Sequence, residues 1–272
     1  MHPFTRVLVN DVGLGLSIHV ITPNGKLAVF DLGASPTSSP LKKFSYDRVI
    51  DYLFISHPHR DHIQDITNLR YYPRFLNVPQ NVDVNILITA AREEDKPMFR
   101  KYKQLLDNRN YDSSSYARIL PQVTGGLFIE SFRAPSRCSS NLNDVSSISI
   151  LNFEGSKMVI CGDNEKSSLR ELMESRRFQQ AVANADILVA PHHGRESGFH
   201  APFLNTVCPS LTIISDTSKV ATSASGLYSA YSSGLNVNYI SSGENGLRRC
   251  LSTRKDGPIE VHLQSNITVI AG

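Results

Sequence analysis

The chain has little of several things that would identify other classes of protein. Its 272 residues include no tryptophan and only four cysteines, and no apolar run approaches the ~20 residues that a helix needs to cross a bilayer. No C-x-x-C pair occurs among Cys138, Cys161, Cys208 and Cys250, which argues against a disulfide framework and against a thiolate zinc site. We therefore expect reduced thiols. The sequence opens without a charged-then-apolar leader, so we expect a cytoplasmic protein with no membrane segment.

Positively and negatively charged residues are nearly equal in number. The sequence has 28 Lys and Arg against 25 Asp and Glu, a net charge of +3, and 40% of its residues are hydrophobic. This charge is too weak to indicate nucleic-acid binding by itself, yet it does not oppose a polyanionic partner. The hydrophobic content excludes intrinsic disorder. No Pro/Gly-rich linker, shift of composition or internal repeat divides the chain, so we expect one domain over residues 1–272.

Short strand-like segments dominate the first half, and strands alternate with helices in the second. This pattern predicts one α/β domain with two sheet layers. A Pro23-Asn24-Gly25 turn joins the second and third strands. The predicted strands are 4–10, 16–22, 27–31, 52–56, 85–90, 127–132, 147–153, 158–161, 187–190, 211–215, 237–240 and 259–263, and the predicted helices are 98–107, 167–173 and 227–232.

Histidine is concentrated at two places, each directly after a predicted strand. Five of the nine histidines are His57, His59, His62, His192 and His193. Imidazoles two residues apart on an extended segment point the same way, so the first two can bind one metal ion together. A carboxylate that also ends a strand, Asp163, could bridge that ion to a second one, held by Asp61 and His62 at the turn into a helix. The clustering favours metal binding over ordinary packed or solvated histidines.

The segment His57-Pro58-His59-Arg60-Asp61-His62 resembles the H-x-H-x-D-H signature of the metallo-β-lactamase superfamily. That resemblance implies a four-layer αββα sandwich with mixed sheets and a metal site at one edge of them. Residues 11–15, 22–26 and 30–33, with Ala190-Pro191-His192-His193-Gly194, are similar more narrowly to the metallo-β-lactamase domain of ComEC-type DNA-uptake proteins. The similarity spans nearly the whole chain, although residues 71–131 match only in general layout.

The resemblance also implies roles for individual residues. It assigns one metal ion to His57, His59 and Asp163, and the other to Asp61, His62, Asp163 and His192, with His193 as the alternative to its neighbour. The residues assigned to catalysis are Asp61, Asp163 and His193. Supporting hydrogen bonds are expected from Asp31 and Asn143. Arg195 departs from the family pattern, which commonly has serine there, and is either a clamp for a substrate phosphate or a solvated loop arginine.

Residues 127–163 contain no histidine, whereas most of the superfamily has a third metal-binding histidine there. An oxygen-richer first site favours manganese without excluding zinc, so the expected cofactors are one or two divalent ions of manganese or zinc. Two such ions sharing a carboxylate and a hydroxide suit hydrolysis of a phosphodiester. The leading hypothesis is a phosphodiesterase or nuclease that acts on DNA.

Two other hypotheses remain open. One is a metallohydrolase of a small phosphodiester, lactam or thioester, and the other is a non-catalytic metal-binding regulatory protein. One surface motif bears on the choice, because the run Arg70-Tyr71-Tyr72-Pro73-Arg74-Phe75 interleaves basic and aromatic residues. Such a run is typical of a stacking platform for single-stranded bases, but more often of a packed loop.

Overall fold

The computed structural model describes residues 3–45, 47–79, 82–108, 111–135, 141–217 and 225–272. Cys138 lies outside these ranges. The strands are β1 (Thr5–Val9), β2 (Ile18–Ile21), β3 (Leu27–Phe30), β4 (Tyr52–Phe54), β5 (Phe75–Asn77), β6 (Tyr116–Ile119), β7 (Phe128–Arg133), β8 (Ser147–Phe153), β9 (Ser156–Ile160), β10 (Ile187–Val189), β11 (Leu211–Ile214), β12 (Leu235–Tyr239), β13 (Asn245–Arg248), β14 (Cys250–Ser252), β15 (Ile259–Leu263) and β16 (Thr268–Ala271).

Helices connect many of these strands. The α-helices are α1 (Arg60–Ile63), α2 (Val84–Ala90), α3 (Lys96–Asp107), α4 (Pro121–Thr124), α5 (Lys166–Leu172), α6 (Arg176–Val182), α7 (Ala201–Val207), α8 (Ser225–Tyr231) and α9 (Thr253–Asp256). Tighter 3₁₀ turns occupy Gln64–Asn68, Leu142–Val145, Pro191–Gly194 and Glu196–Gly198, and a π-helical turn occupies Leu41–Ser45.

Two mixed sheets form from the described strands. The larger has nine strands in the order β13-β12-β16-β15-β1-β2-β3-β4-β5, and the smaller has seven in the order β14-β11-β10-β9-β8-β7-β6. Each sheet begins as an antiparallel meander and then becomes parallel, at β3, β4 and β5 in the larger sheet and at β9, β10 and β11 in the smaller. Parallel neighbours bring their carboxyl ends to the same edge of a sheet.

Alternating apolar side chains place each sheet between two hydrophobic clusters. In β3, Ala28 and Phe30 belong to a cluster that also contains Met158 and Ile160 of β9, so it lies between the sheets. Leu27 and Val29 point to the opposite face, where a second cluster includes buried side chains of α3. The corresponding outer cluster of the smaller sheet contains side chains of α5, α6 and α7. This is the αββα sandwich expected from the resemblance, so the predicted fold class is confirmed.

One predicted strand is wrong. Residues 85–90 form most of α2, because the Asp83 side chain accepts hydrogen bonds from the backbone N–H groups of Asn85 and Ile86 and caps a helix. The apolar run Ile86 to Ile88 is too short to distinguish a strand from a helix by its periodicity. The predicted Pro23-Asn24-Gly25 turn is present, with Gly25 at φ +82° donating its N–H to the Thr22 carbonyl.

Two further observations concern the helices and the cysteines. Within the described ranges, no helix is both long enough and apolar enough to cross a lipid bilayer. The described cysteines, Cys161, Cys208 and Cys250, are all free thiols. Burial raises the pKa of Cys161 well above its ordinary value, so this thiol is unreactive at neutral pH.

Candidate metal centre

The predicted site residues meet at one edge of the sandwich, where parallel strands of both sheets end. Asp31 follows β3, and the segment from His57 to His62 follows β4, its parallel neighbour. From the smaller sheet, Asp163 follows β9, and His193 follows the neighbouring parallel strand β10. The larger sheet therefore supplies the histidine motif, and the smaller sheet supplies the carboxylate that faces it.

The first donor cluster consists of His57, His59 and Asp163, each offering one nitrogen or oxygen atom within 4.8 Å of the others. The Nε2 atom of His57 lies 2.9 Å from Nδ1 of His59 and 3.8 Å from Oδ2 of Asp163. His57 and Asp163 are buried, and His59 is partly exposed. His59 is therefore the member of this cluster that contacts solvent most.

The second donor cluster contains Asp61, His62, Asp163 and His193, again within 4.8 Å of one another. The Oδ1 atom of Asp163 lies 3.0 Å from Nε2 of His62 and 3.3 Å from Nε2 of His193. Nε2 of His193 is also 3.4 Å from Oδ2 of Asp61. Asp163 thus directs one carboxylate oxygen toward each cluster, as expected of a bridging residue.

Hydrogen bonds on the far side of each ring orient the imidazoles. The Asp31 carboxylate accepts hydrogen bonds from Nδ1 of His62 at 2.7 Å and from the backbone N–H and side-chain hydroxyl of Ser56 at 2.6 and 2.7 Å. The same hydroxyl lies 3.1 Å from Nδ1 of His57. Nδ1 of His193 donates to the Ser215 carbonyl at 2.9 Å. Each of these rings therefore turns Nε2 toward the clusters.

His192, which the sequence analysis placed among the metal ligands, belongs to neither cluster. Its Nε2 accepts a hydrogen bond from Nη1 of Arg195 at 2.9 Å, which occupies the lone pair that a metal would need. Its Nδ1 lies 2.7 Å from the Ser197 hydroxyl and 3.1 Å from Oε1 of Glu165. The geometry therefore favours the alternative, His193. Residue spacing offers no basis for ranking the two, because the backbone turns through φ +47° and +53° at these adjacent residues.

Asn143 and Arg195 lie beside the clusters without joining them. The amide of Asn143 donates to Oε1 of Glu165 at 3.0 Å, and Asn143 also contacts His59. The guanidinium of Arg195 is held against His192. Sequence reasoning missed Glu165, Ser56 and Ser215, whose only sequence signal is their place beside a motif or at a strand end.

Burial and neighbouring charges divide the histidines into two groups. Burial lowers the pKa of His57 well below its ordinary value and also lowers the pKa of His59, so both rings are neutral at pH 7. Burial acts in the same direction on His62 and His193, but the Asp163 carboxylate outweighs it. The pKa of His62 is raised well above its ordinary value, and that of His193 is raised to about 9.

The two carboxylates of the second cluster are held in the charged form. Burial opposes the ionisation of both, yet a hydrogen bond from His193 and the charge of His62 hold the pKa of Asp61 well below its usual range. The charges of the same two histidines lower the pKa of Asp163. Ionised carboxylates are the form that binds a cation.

Glycine allows the motif helix to pack tightly against the loops that carry the other site residues. A Cβ atom at Gly33 would lie 2.7 Å from the Asp61 carbonyl oxygen, and one at Gly15 would lie 2.3 Å from the same atom. Gly15 also has φ +127°, a conformation that residues with a side chain rarely adopt. A side chain at either glycine would therefore push the backbone at Asp61 away from these loops.

The donor set fits a divalent cation. Oδ1 of Asp163 is buried and lies 3.0 Å from Nε2 of His62 and 3.3 Å from Nε2 of His193, and the raised pKa of both rings shows that protons on them balance the carboxylate charge. A divalent cation bound at this point would replace those protons, because metal-binding imidazoles are neutral. Imidazole nitrogens together with carboxylate oxygens are ligands of zinc, iron and manganese.

Comparison with known proteins connects this arrangement to a fold. No protein-family model matches the sequence, and no curated protein matches it. Among solved structures, Tm1679, a metal-dependent hydrolase of the β-lactamase superfamily, is similar with a TM-score of 0.51 and 11% identity, over 96% of this chain and 99% of that one. The chain thus has the metallo-β-lactamase fold.

Two further structures are similar at lower scores. The short form of human tRNase Z has a TM-score of 0.47 and 13% identity, over 78% of this chain and 92% of that one. The metallo-β-lactamase fold protein YhfI from Bacillus subtilis has a TM-score of 0.45 and 10% identity, over 80% and 88% respectively.

Proposed function

We propose that this protein is a metal-dependent hydrolase that cleaves phosphodiester bonds, with DNA as its substrate. The observation that carries the proposal is the Asp163 carboxylate, which is shared by two donor clusters. Paired cation sites with a common carboxylate suit displacement at phosphorus, where negative charge develops on several oxygens at once. The fold shared with Tm1679, itself described as a metal-dependent hydrolase, agrees with the proposal.

In this proposal His57, His59 and Asp163 hold one divalent ion, and Asp61, His62, Asp163 and His193 hold the other. Bound there, manganese or zinc would supply Lewis acidity, which lowers the pKa of a water molecule and neutralises charge on the phosphoryl oxygens. Two nitrogen ligands and one carboxylate leave the first site with open positions for water and substrate.

The chain itself supplies orientation and charge. Asp31 holds His62 directly, and holds His57 through the Ser56 hydroxyl, so both rings keep Nε2 toward the clusters. Arg195 is the proposed contact for a substrate phosphate. Its Nη1 is bound to His192, and the side chain is partly exposed, so it places a positive charge beside the clusters.

The two alternatives predict different behaviour at the same site. A hydrolase of a small phosphodiester, lactam or thioester would use the same residues but would leave polynucleotides intact. A metal-binding regulatory protein would bind metal and hydrolyse no ester. The clustering of His57, His59, Asp61, His62 and Asp163 weighs against the regulatory alternative, because a site that has lost catalysis is expected to lose at least one of these donors.

The test uses purified protein loaded separately with manganese and zinc. Labelled single-stranded DNA, duplex DNA, RNA and a chromogenic phosphodiester are offered to the wild type and to His59→Ala and Asp163→Asn. The matched control is His262→Ala, because His262 lies in β15 and hydrogen-bonds Glu260, outside both clusters.

We expect the wild type and the control to cleave DNA, and the two site variants to lose at least about 100-fold in rate. Cleavage of the chromogenic ester without cleavage of any polynucleotide would move the assignment to small substrates. Stoichiometric metal binding without hydrolysis of polynucleotides or of the chromogenic ester would favour the non-catalytic regulatory protein over the enzyme.

A further inference from the structure

A polar cavity lies between two segments that follow strands or helices of the metal centre. Its volume is about 610 Å³, which is the size of a small-ligand site. One wall is the loop after β3 with the π-helical turn that follows it, and the other is the 3₁₀ turn after α1. The lining residues that carry the argument are Ser39, Lys42, Lys43, Gln64, Asp65 and Asn68.

The walls of this cavity continue the segments that carry the metal centre. The 3₁₀ turn begins at Gln64, which directly follows α1, the helix that contains Asp61 and His62. Backbone hydrogen bonds join the two walls through Leu32, whose N–H donates to the His62 carbonyl and whose carbonyl accepts from the Asp65 N–H, both at 2.7 Å. At about 1.5–2 Å of rise per residue, the near wall lies within about 10 Å of the second donor cluster.

The one carboxylate among the lining residues is already saturated by the walls. Asp65 is buried and accepts hydrogen bonds from the Ser39 hydroxyl at 2.6 Å, the Asn68 amide at 2.7 Å and the Leu41 N–H at 2.8 Å. It therefore holds the walls together rather than offering ligands to a cation. The remaining polar groups of the cavity are hydroxyls, amides and ammonium groups, most of them hydrogen-bond donors.

The two lysines give the cavity its charge. Lys42 and Lys43 are exposed, and neither forms an ion pair within the described part of the chain. Together with the Asp65 carboxylate they leave a net charge of +1 at the mouth. Lysine, serine, threonine and asparagine side chains are the groups that usually contact phosphate oxygens in nucleic-acid complexes.

The chain segments that form or follow the two walls carry exposed aromatic rings, each beside a cation. Phe44, Tyr71 and Tyr72 are 41%, 42% and 37% exposed. The Lys43 ammonium lies 4.9 Å from the centre of the Phe44 ring, and Lys101 of α3 lies 5.8 Å from that of Tyr72. Exposed rings next to cations favour the stacking platform over the packed loop.

We propose that the cavity between residues 34–43 and 64–68 is a phosphate-binding subsite for a single-stranded nucleic acid whose scissile phosphate lies at the metal centre. The strand's next phosphates contact Lys42, Lys43 and the hydroxyls of the loop, and its bases reach Tyr71 and Tyr72. This inference rests on the proposed function, since it names the strand that the phosphodiesterase would hold.

The test measures binding separately from hydrolysis. A fluorescein-labelled single-stranded oligonucleotide is titrated with wild type, with Lys42→Gln/Lys43→Gln, and with the control Arg118→Gln/Arg176→Gln, which removes the same charge from the exposed residues of β6 and α6. Metal is omitted and the salt concentration is varied.

We expect the lysine variant to bind about tenfold more weakly at 0.15 M salt. Its plot of log K against log salt should be shallower by about 1.4, or about 0.7 for each phosphate that a lysine no longer neutralises. The control is expected to bind like the wild type. Equal affinity and slope for the lysine variant and the control would overturn the subsite, and equally good competition by polyphosphate would overturn its assignment to a nucleic acid.

Hydrolysis then separates this inference from the proposed function. With metal bound, the lysine variant is expected to hydrolyse the chromogenic phosphodiester like the wild type while its KM for the oligonucleotide rises about tenfold. Absence of all hydrolysis would refute the proposed function, while the binding titration would still decide whether the cavity holds the strand.

Discussion

The substitution Asp31→Asn tests how the protein orients its metal-binding rings. Asp31 sits at φ +57°, a conformation that asparagine also tolerates, so the backbone need not change. The carboxylate accepts a hydrogen bond from Nδ1 of His62, so Nε2 of that ring, which faces Asp163, is the nitrogen that can lose its proton and bind a metal. An amide NH₂ in the same place would instead donate to Nδ1, and the proton on the ring would move to Nε2, where it blocks a metal.

The magnitude follows from the interactions that change. Loss of an orienting hydrogen bond on a metal-binding histidine typically weakens metal affinity about 10- to 100-fold, which corresponds to about 1.4–2.7 kcal/mol. Replacing a charged acceptor that serves buried donors on Ser56 and His62 should also lower the free energy of unfolding by about 2 kcal/mol.

The matched control for this experiment is Asp65→Asn. Asp65 is a second buried carboxylate that accepts several hydrogen bonds, but none of its partners belongs to the donor clusters. We expect both variants to lose similar stability in urea unfolding, and only Asp31→Asn to lose metal affinity in calorimetric titration with manganese or zinc. Equal metal affinity in the two variants would refute the orienting role.

Three further predictions concern single sites. Burial lowers the pKa of His19 to about 4, so only the unfolded state takes up a proton on this ring between about pH 6.5 and 4. The free energy of unfolding should therefore fall by up to about 3 kcal/mol as the pH is lowered through that range. Urea unfolding at several pH values measures this pH dependence, and His19→Gln should remove the part that comes from His19. Gly15→Ala should destabilise the fold by about 3 kcal/mol in the same assay, whereas Gly25→Ala, with positive φ but no atom near the added Cβ, should cost about 1 kcal/mol; similar losses would contradict the packing argument. His193→Ala should lower bound metal from two equivalents to one by elemental analysis and His192→Ala should not, and the reverse result would restore the ligand set expected from sequence.

The parts of the site that could be predicted from sequence are those encoded by neighbouring residues. His57, His59, Asp61 and His62 lie in one short segment after a strand, so their spacing alone places their donors together. Asp163 could be added because it is a carboxylate that also follows a strand, although that strand belongs to the other sheet and only the packing of the two sheets brings the strand ends together.

Other features depend on contacts between distant segments. The choice between His192 and His193 depends on left-handed backbone at both residues and on the hydrogen bond from Arg195. The basic cavity depends on Leu32 joining two loops more than twenty residues apart in the sequence. Neither feature has a local pattern that sequence reasoning can detect.

Similar reasons explain the errors in secondary structure. The residues of helix α2 have a strand-like pattern because a short apolar run is compatible with both structures, and the Asp83 cap decides in favour of the helix. No sequence pattern predicts the strands β13 and β14. They lie at the edges of their sheets and have few buried positions, so their sequences lack the hydrophobic alternation of inner strands.

The central claim is that two cations bind on either side of Asp163, and anomalous diffraction from crystals of the protein loaded with manganese or zinc tests it most directly. We expect two anomalous peaks, one within ligand distance of His57, His59 and Asp163, and the other within ligand distance of Asp61, His62, Asp163 and His193. A crystal saturated with metal that shows its peaks elsewhere, or none at either cluster, would contradict the account.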